Sequence, residues 1–99
     1  MDTLQVVAEP RRREILGLIW DEEMAASEIA SRFDVTFGAV SQHLAVLREA
    51  DLVTVRKEGN RRLYSADQEA LAPFREILET MWGDTLENLA RVIEEGSDT

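Results

Sequence analysis

Apolar residues in the middle of the chain recur at the spacing of an α-helix. Val40, Leu44 and Leu47 follow one another at intervals of four and three residues, which places them on one buried face. The helix is predicted to begin at Phe37, because the hydroxyl of Thr36 can accept a hydrogen bond from a free backbone N–H and so cap it. Apart from Phe37 the opposite face is small, polar or cationic, and it consists of Phe37, Gly38, Ser41, Gln42, Ala45 and Arg48.

A shorter helix is predicted just before this one. It opens at Ser27, and the run Asp34–Thr36 ends it. Its apolar residues, at three- to four-residue spacing, are Ile29, Ala30 and Phe33. Two short helices joined by a tight turn, the second presenting hydrogen-bonding side chains, form a helix-turn-helix, whose second helix fits the major groove of DNA.

Two apolar stretches precede the helix-turn-helix. The piece Thr3–Ala8 has Leu4, Val6 and Val7 as its buried candidates. Proline suits the first turn of a helix, so the next helix is predicted to run from about Pro10 to Trp20. The residues that this helix directs toward the core are Ile15, Leu16, Ile19 and Trp20.

Three consecutive arginines lie in the first turn of that helix, where cations oppose the helix dipole. One interpretation of Arg11–Arg13 is solvated charge balanced by Glu9 and Glu14. The other is that one or two of them, with Arg11 as the candidate, contact a DNA phosphate. The acidic link Asp21–Met24 that follows the helix is predicted to be a solvated loop.

A basic hairpin is predicted directly after the helix-turn-helix. Residues Leu52–Arg56 alternate and are rich in β-branched side chains, Lys57–Asn60 is turn material, and Arg61–Ser65 returns as a second strand. The alternation leaves open which face of the second strand points inward. At this position the hairpin is predicted to be the wing of a winged helix. The alternative is a small hairpin whose charged edges discourage aggregation.

The C-terminal third carries a wide apolar stripe. A helix is predicted from about residue 73 to residue 95, with a kink or a short turn at Pro73. The stripe exceeds what one small core covers, so this helix and Leu4–Val7 are predicted to pack against a second copy. The alternative to this dimer contact is that the helix is an ordinary core helix of a monomer. Residues 96–99 are predicted to be a frayed tail. The stripe consists of Leu71, Phe74, Leu78, Met81, Thr85, Leu89 and Val92, and it is broadened by Ile77, Trp82, Leu86 and Ile93.

Length and composition bound the class of protein. The 99 residues predict one domain, residues 1–99, mainly α-helical with a small β-hairpin. No apolar run approaches about 18 residues and no signal peptide is recognisable, so we expect a cytoplasmic protein that does not contact a membrane. The chain has no Cys, which excludes a disulfide framework and thiolate metal sites. It offers no paired nucleophile and base and no Gly-rich phosphate loop, so we do not expect an enzyme.

The net charge of −9 argues against a nucleic-acid partner, because phosphate contacts dominate the affinity of proteins for DNA. The charge is unevenly distributed, however. Residues 1–66 carry 9 Lys/Arg against 11 Asp/Glu, whereas residues 67–99 carry 2 against 9. The segment 56–62 holds four cations and one anion. A basic projection on an acidic body is compatible with DNA binding. The alternative is a winged-helix module used for protein–protein interaction, which the net charge favours.

The segment VTFGAVSQHLAVLREADLV, residues 35–53, resembles the recognition segment of the ArsR-type winged-helix repressors. In that family a polar cap is followed by a Ser-x-His-Leu core and then by Val-Leu-Arg-Glu-Ala-x-Leu-Val. The flanking pieces Ala8–Leu16 and Gly59–Tyr64 match the family in the same order. The resemblance implies a winged helix-turn-helix with a dimer interface of N- and C-terminal helices. It also implies a homodimeric repressor of an inverted-repeat operator in double-stranded DNA.

Many ArsR-type repressors sense metals, so the resemblance raises the question of a metal site. Some members use a Cys-containing motif on the first helix of the helix-turn-helix, but the corresponding region Glu22–Ile29 has no Cys. Others use Asp/His and His/Glu pairs on the C-terminal helices, and carboxylates alone bind transition metals poorly. The chain therefore resembles the metal-independent branch of the family. The segment Met81–Leu89 also resembles members of that branch, and we expect no metal and no cofactor. The C-terminal helix has no His, and the carboxylates that it offers include Asp84, Glu87, Glu94 and Glu95.

The candidate DNA-contacting residues follow from these motifs. Gln42 can bond bidentately to adenine, and Ser41 can bond either base. Phe37 either presses on a thymine methyl or packs against the preceding helix, and Thr36 can bond a phosphate as well as cap. His43, the only histidine, is predicted to be packed or on a phosphate. The full set is Arg11, Thr36, Phe37, Gly38, Ser41, Gln42, His43, Arg48, Asn60, Arg61 and Arg62.

Overall fold

In a computed structural model that describes residues 2–83, the chain forms five helices and a sheet of three strands. The helices are α1 (Thr3–Ala8), α2 (Pro10–Leu18), α3 (Ala26–Ala30), α4 (Phe37–Glu49) and α5, whose described part is residues 75–83. The strands are β1 (Met24–Ala25), β2 (Val53–Glu58) and β3 (Arg61–Ala66). The fold is a winged helix-turn-helix, in which α3 and α4 are the helix pair and β2 and β3 form the wing.

Side-chain caps determine where the helices begin. Asp2, Glu9 and Thr36 each accept a hydrogen bond from the backbone N–H three residues later, at 2.8, 2.8 and 3.1 Å. In α3 the bond runs backward, because the carboxylate of Glu28 accepts the N–H of Ala25 at 3.1 Å. These bonds satisfy backbone donors that have no partner inside the helix. The predicted start of α4 at its Thr36 cap is confirmed.

The sheet contains one strand more than the sequence predicts. β3 lies between β1 and β2 and runs antiparallel to both. Met24, predicted to lie in a solvated loop, is instead 3% exposed and pairs with Tyr64. That prediction was wrong because a two-residue strand is too short to show alternation. The strand forms because the outer edge of β3 would otherwise leave backbone groups unpaired.

The core lies between the helices and the inner end of the wing. Val40, Leu44 and Leu47 of α4 are at most 1% exposed, as predicted. Leu4 is 56% exposed, because only the last turn of α1, with Val6, lies on the core. The other buried apolar side chains of the cluster are Val7, Ile15, Leu16, Ile19, Met24, Ile29, Leu52, Val53, Leu71 and Leu78.

The corner between α1 and α2 is closed by arginine side chains. Arg12 is only 8% exposed, and its Nε donates to the carbonyl of Val6 at 2.7 Å. Arg13 donates to the carbonyl of Ala8. The last carbonyl groups of a helix have no intrahelical partner, and cationic side chains satisfy them here. The interpretation of these arginines as solvated charge is therefore wrong for Arg12.

The C-terminal helix joins the core in its first turns. A 3-10 turn (Ala72–Phe74) precedes α5, in agreement with the short turn predicted at Pro73. Trp82 donates its indole N–H to the carbonyl of Arg13 at 3.0 Å and meets Trp20 edge to face at 5.3 Å. The remainder of the predicted helix and the tail, residues 84–99, lie outside the described residues. Among residues 2–83 no helix is both long and apolar enough to cross a bilayer.

Candidate nucleic-acid interface

The outward face of α4 carries the polar side chains that the periodicity assigns to it. Gly38, Gln42 and Arg48 are exposed, and Phe37 is 55% exposed at the first turn. Ser41 is half-buried beside them. Arg48 forms no ion pair within residues 2–83. The buried side of α4 is packed on the core, so this face is the one that the helix presents to a partner.

A shallow groove connects the first turns of α4 to the tip of the wing. Phe37 and Ser41 form its helical side, and the wing forms the other. β1 and the start of α3 lie at its base, because β1 pairs with β3. Five of the predicted site residues thus share one concavity. The lining residues are Ala25, Ala26, Ser27, Phe37, Ser41, Asn60, Arg61, Arg62 and Tyr64.

The wing has two chemically different faces. Its strands turn at residues 59–60, where Gly59 adopts a φ of +62° that glycine tolerates without strain. Side chains that are directly opposite in an antiparallel pair point to the same side. Lys57 is opposite Arg62, which gives one face two cations. Arg61 is opposite Glu58 on the other face.

The face with Arg61 is neutralised by the carboxylate of Glu23, which directly precedes β1, and by that of Glu28 in α3. Arg61 is ion-paired with Glu28, the residue that also caps α3. Arg56 bonds Glu23 through Nε and Nη2 at 3.0 and 2.9 Å. These hydrogen bonds lower the pKa of Glu23 and raise the pKa of Arg56. By contrast, Lys57 and Arg62 form no ion pair within the part of the chain that the structure describes.

His43 lies on the inner side of α4, where it contacts the corner between α1 and α2. Its Nδ1 is 3.8 Å from the carboxylate of Glu9 and 3.5 Å from Nη1 of Arg12. Burial opposes ionisation of Glu9, but the N–H groups of Arg12 and Arg11 and the nearby cations lower its pKa overall. These contacts agree with the packed alternative that the sequence left open for His43.

Arg11 and Gln42 lie outside the groove. Arg11 is 3.3 Å from Glu14, and its guanidinium lies 4.9 Å from the ring centroid of Phe33. A cation at that distance from an aromatic face is attracted to it. Gln42 lines a separate depression on α4 together with His43.

The residues of this surface that are absent from the predicted set include Lys57 and Ser27. Lys57 belongs to the basic run, but its face becomes evident only when the register pairs it with Arg62. Ser27 lines the groove because β1 brings the start of α3 against the wing. Strand alternation was the signal for Lys57, whereas the sequence carries no signal for Ser27. Within residues 2–83 no group of three His, Cys, Asp or Glu side chains is arranged to hold a metal.

Comparison with known proteins adds to this geometry. Residues 9–55 match the sequence model of a protein family that is described as "Bacterial regulatory protein, arsR family". The chain is 40% identical to the HTH-type transcriptional regulator Rv2034 of Mycobacterium tuberculosis, over 96% of this chain and 90% of that protein. It is 34% identical to the transcriptional activator HlyU of Vibrio cholerae, over 80% of this chain and 73% of that protein.

A solved structure is also similar. It is the homodimeric winged helix-turn-helix DNA-binding domain of a possible ArsR-family regulator from Mycobacterium bovis. Its TM-score is 0.68 and its sequence identity 28%, and the match covers 85% of this chain and 78% of that domain. The matched part of this chain is therefore long enough to include the helix pair and the wing together.

Proposed function

We propose that this chain, which belongs to the ArsR family of bacterial regulatory proteins, is a homodimeric DNA-binding transcriptional regulator that reads an inverted-repeat operator. The observation that carries the proposal is the groove between α4 and the wing. It combines the exposed polar face of a short capped helix with a cationic hairpin. The helix has the dimensions and polarity of a major-groove reader, and the wing supplies phosphate contacts beside it.

Within this proposal each predicted site residue has a role. Gln42 and Ser41 read base edges from α4, and Phe37 contacts a thymine methyl. Arg62 and Asn60 contact the backbone or the minor groove from the wing tip. The remaining members of the set contact phosphates at the edges of the surface, and they are Arg11, Thr36, Arg48 and Arg61. His43 supports α4 from its inner side, through its contacts with Glu9 and Arg12.

Gly38 supports a close approach of another molecule to α4. A Cβ built at this position would meet only the Thr36 hydroxyl, at the ordinary contact distance of 3.9 Å. The fold itself therefore does not require glycine there, although glycine inside a helix costs stability relative to alanine. A DNA backbone or base edge pressed against the first turn of α4 accounts for the absence of a side chain.

Dimerisation follows from the apolar surface left by α1 and α5. Leu4 of α1 is 56% exposed and Ile77 of α5 is 47% exposed, and a second copy of the chain can cover these large apolar side chains. The similar domain from Mycobacterium bovis is described as homodimeric. A two-fold pair places two α4 helices in successive major grooves, about 34–36 Å apart, and so selects an inverted repeat.

We further propose that the regulator acts in the cytoplasm as a repressor, by excluding polymerase from the operator, and that it is not a catalyst. One relative is named a transcriptional activator. In vitro transcription from a template that carries the operator distinguishes a repressor from an activator. A rise in the amount of transcript with added protein would contradict the repressor role.

A salt titration with defined duplexes tests the function. Operator fragments are first selected from a random duplex library with the purified chain. We expect log Kd to vary linearly with log salt, with a slope that reflects several neutralised phosphates. Binding that ignores salt, or no duplex binding at any salt, would favour the protein-interaction alternative that the net charge of −9 suggests.

A single substitution tests the specificity within that experiment. Gln42→Ala should weaken operator binding by about 1–3 kcal/mol and relax the preference at one base pair. Affinity for random duplex is the internal control and should change little. Equal losses on operator and random duplex would show that Gln42 only positions the helix.

A further inference from the structure

We propose that Glu28 and Glu23 are built-in competitors of DNA phosphates for the arginines of the wing, and that they limit the affinity of the protein for non-cognate DNA. The inference rests on the proposed function. It assigns to two carboxylates a role against binding, whereas the groove residues act for binding. Its basis is the placement of the two acids on either side of β1, Glu23 directly before it and Glu28 in the first turn of α3, because β1 is paired with the wing.

Glu28 is held in place to meet Arg61. Its carboxylate accepts the backbone N–H of Ala25 at 3.1 Å and at the same time pairs with the guanidinium of Arg61. It lies in the first turn of α3, where the helix dipole favours a negative charge. The acid is therefore fixed by the local fold, so Arg61 meets a positioned carboxylate and not a mobile one.

Glu23 holds Arg56 in a bidentate ion pair. The guanidinium presents Nε and Nη2 to the carboxylate, at 3.0 and 2.9 Å, in the geometry that arginine uses for a DNA phosphate. Nη2 also donates to Glu58 at 3.1 Å. A phosphate that binds Arg56 must replace these bonds, and the same exchange applies to Arg61.

The opposite face of the wing shows that this arrangement is selective. Lys57 and Arg62 pair with no acid within residues 2–83, although they alternate along the same strands with the paired arginines. The wing thus keeps two cations available for DNA and two engaged by the protein. The net positive charge of the hairpin therefore overstates the charge that a phosphate meets.

The exchange has a measurable size. Exposed ion pairs are weak, so each acid should lower the affinity of its arginine for a phosphate by roughly two- to fivefold at moderate salt. A wild-type arginine that stays on its acid neutralises no phosphate, so removal of the acid adds up to one neutralised phosphate and steepens the log–log salt slope by at most about 0.9. Random duplex shows the effect without interference, because phosphate contacts supply nearly all of its binding.

The test uses Glu28→Gln and Glu23→Gln in the full chain. A glutamine at 28 keeps an oxygen that can accept the Ala25 N–H, so the cap of α3 is retained while the charge is removed. Glu28→Gln should bind random duplex roughly two- to fivefold more tightly, with a steeper salt slope. Glu23→Gln should show a smaller gain, because Arg56 keeps its bond to Glu58. The matched control is Glu22→Gln, because Glu22 is exposed, adjacent to Glu23 and without an ion pair in the described part of the chain.

A double-mutant cycle separates direct pairing from a general charge effect. The gain from Glu28→Gln should vanish in an Arg61→Gln background and persist in an Arg62→Gln background. An equal gain from Glu22→Gln, a gain that survives without Arg61, or no gain at all would overturn the inference. If the wild-type chain binds duplex and only the gain is missing, the proposed function stands. A wild-type chain that binds no duplex overturns both.

Discussion

Replacement of Asp51 by glycine should stabilise the protein at the junction between α4 and the wing. Asp51 has a φ of +59°, in the left-handed region that favours glycine. The N–H of Asp51 donates to the carbonyl of Arg48 and the N–H of Leu52 to that of Leu47, both at 3.0 Å. These two bonds define a Schellman cap, whose left-handed position is most often glycine. Leu47 and Leu52 are both buried beneath it.

The magnitude is the balance of three contributions. A residue with a Cβ in the left-handed region costs about 1–2 kcal/mol, with aspartate at the low end because its side chain can hydrogen-bond locally. A negative charge next to the carbonyl end of α4 opposes the helix dipole by about 0.3–1 kcal/mol. Glycine offsets part of this gain by about 0.4–1 kcal/mol, because it makes the unfolded chain more flexible. The net expectation is stabilisation by about 0.5–1 kcal/mol.

Urea and thermal unfolding measure this difference. For a domain of this size about 1 kcal/mol raises Tm by roughly 4–8 °C. Asp51→Asn is the matched control, because asparagine also tolerates the left-handed region but carries no charge. Its gain should be smaller than that of glycine and should disappear at high salt, where the dipole interaction is screened. A glycine variant no more stable than wild type would refute the assignment of strain to this residue.

Two further predictions concern the corner between α1 and α2. Arg12→Met should destabilise the fold by about 1.5–3 kcal/mol in urea unfolding, because it removes a charged donor from the buried carbonyl of Val6; unchanged stability would show that the guanidinium is dispensable. The pKa of Glu9 is lowered from 4.5, so its ionised form contributes stability above that pH and loses it as the pH falls through the folded pKa. Between pH 5 and pH 3 wild type should therefore lose more stability than Glu9→Gln, and parallel pH profiles in thermal unfolding would contradict this.

The helix-turn-helix could be predicted from sequence because its pattern is local. The burial of Val40, Leu44 and Leu47 follows from helical spacing alone. The start of α4 follows from the capping preference of Thr36. The turn of the wing follows from the backbone freedom of Gly59. Each of these signals involves residues a few positions apart, where intrinsic preferences and the tertiary fold agree.

The pairing of the wing could not be predicted in the same way. Arg56 lies 33 positions from Glu23, and Arg61 lies 33 positions from Glu28. These contacts exist only because β1 joins β3, and a two-residue strand leaves no periodic signal. The sequence therefore predicted that Arg61 contacts DNA, but it did not predict the ion pair of Arg61 with Glu28. The burial of Arg12 was not predicted for a related reason. A helical pattern of apolar residues places a cation on the exposed face, and it does not show that the last carbonyl groups of α1 need a donor.

The contacts of His43 suggest why the recognition helix should not be treated as an isolated reader. His43 lies on α4, yet its ring is 3.8 Å from Glu9, which caps α2, and 3.5 Å from Arg12, which holds the end of α1. A displacement of the corner between α1 and α2 would therefore be transmitted to α4 through polar contacts of short range. Because α1 also carries the exposed Leu4 that we assign to the dimer contact, one short helix connects subunit packing to the orientation of α4. We therefore expect the spacing of the two α4 helices in the dimer to depend on this corner as well as on the helix pair itself.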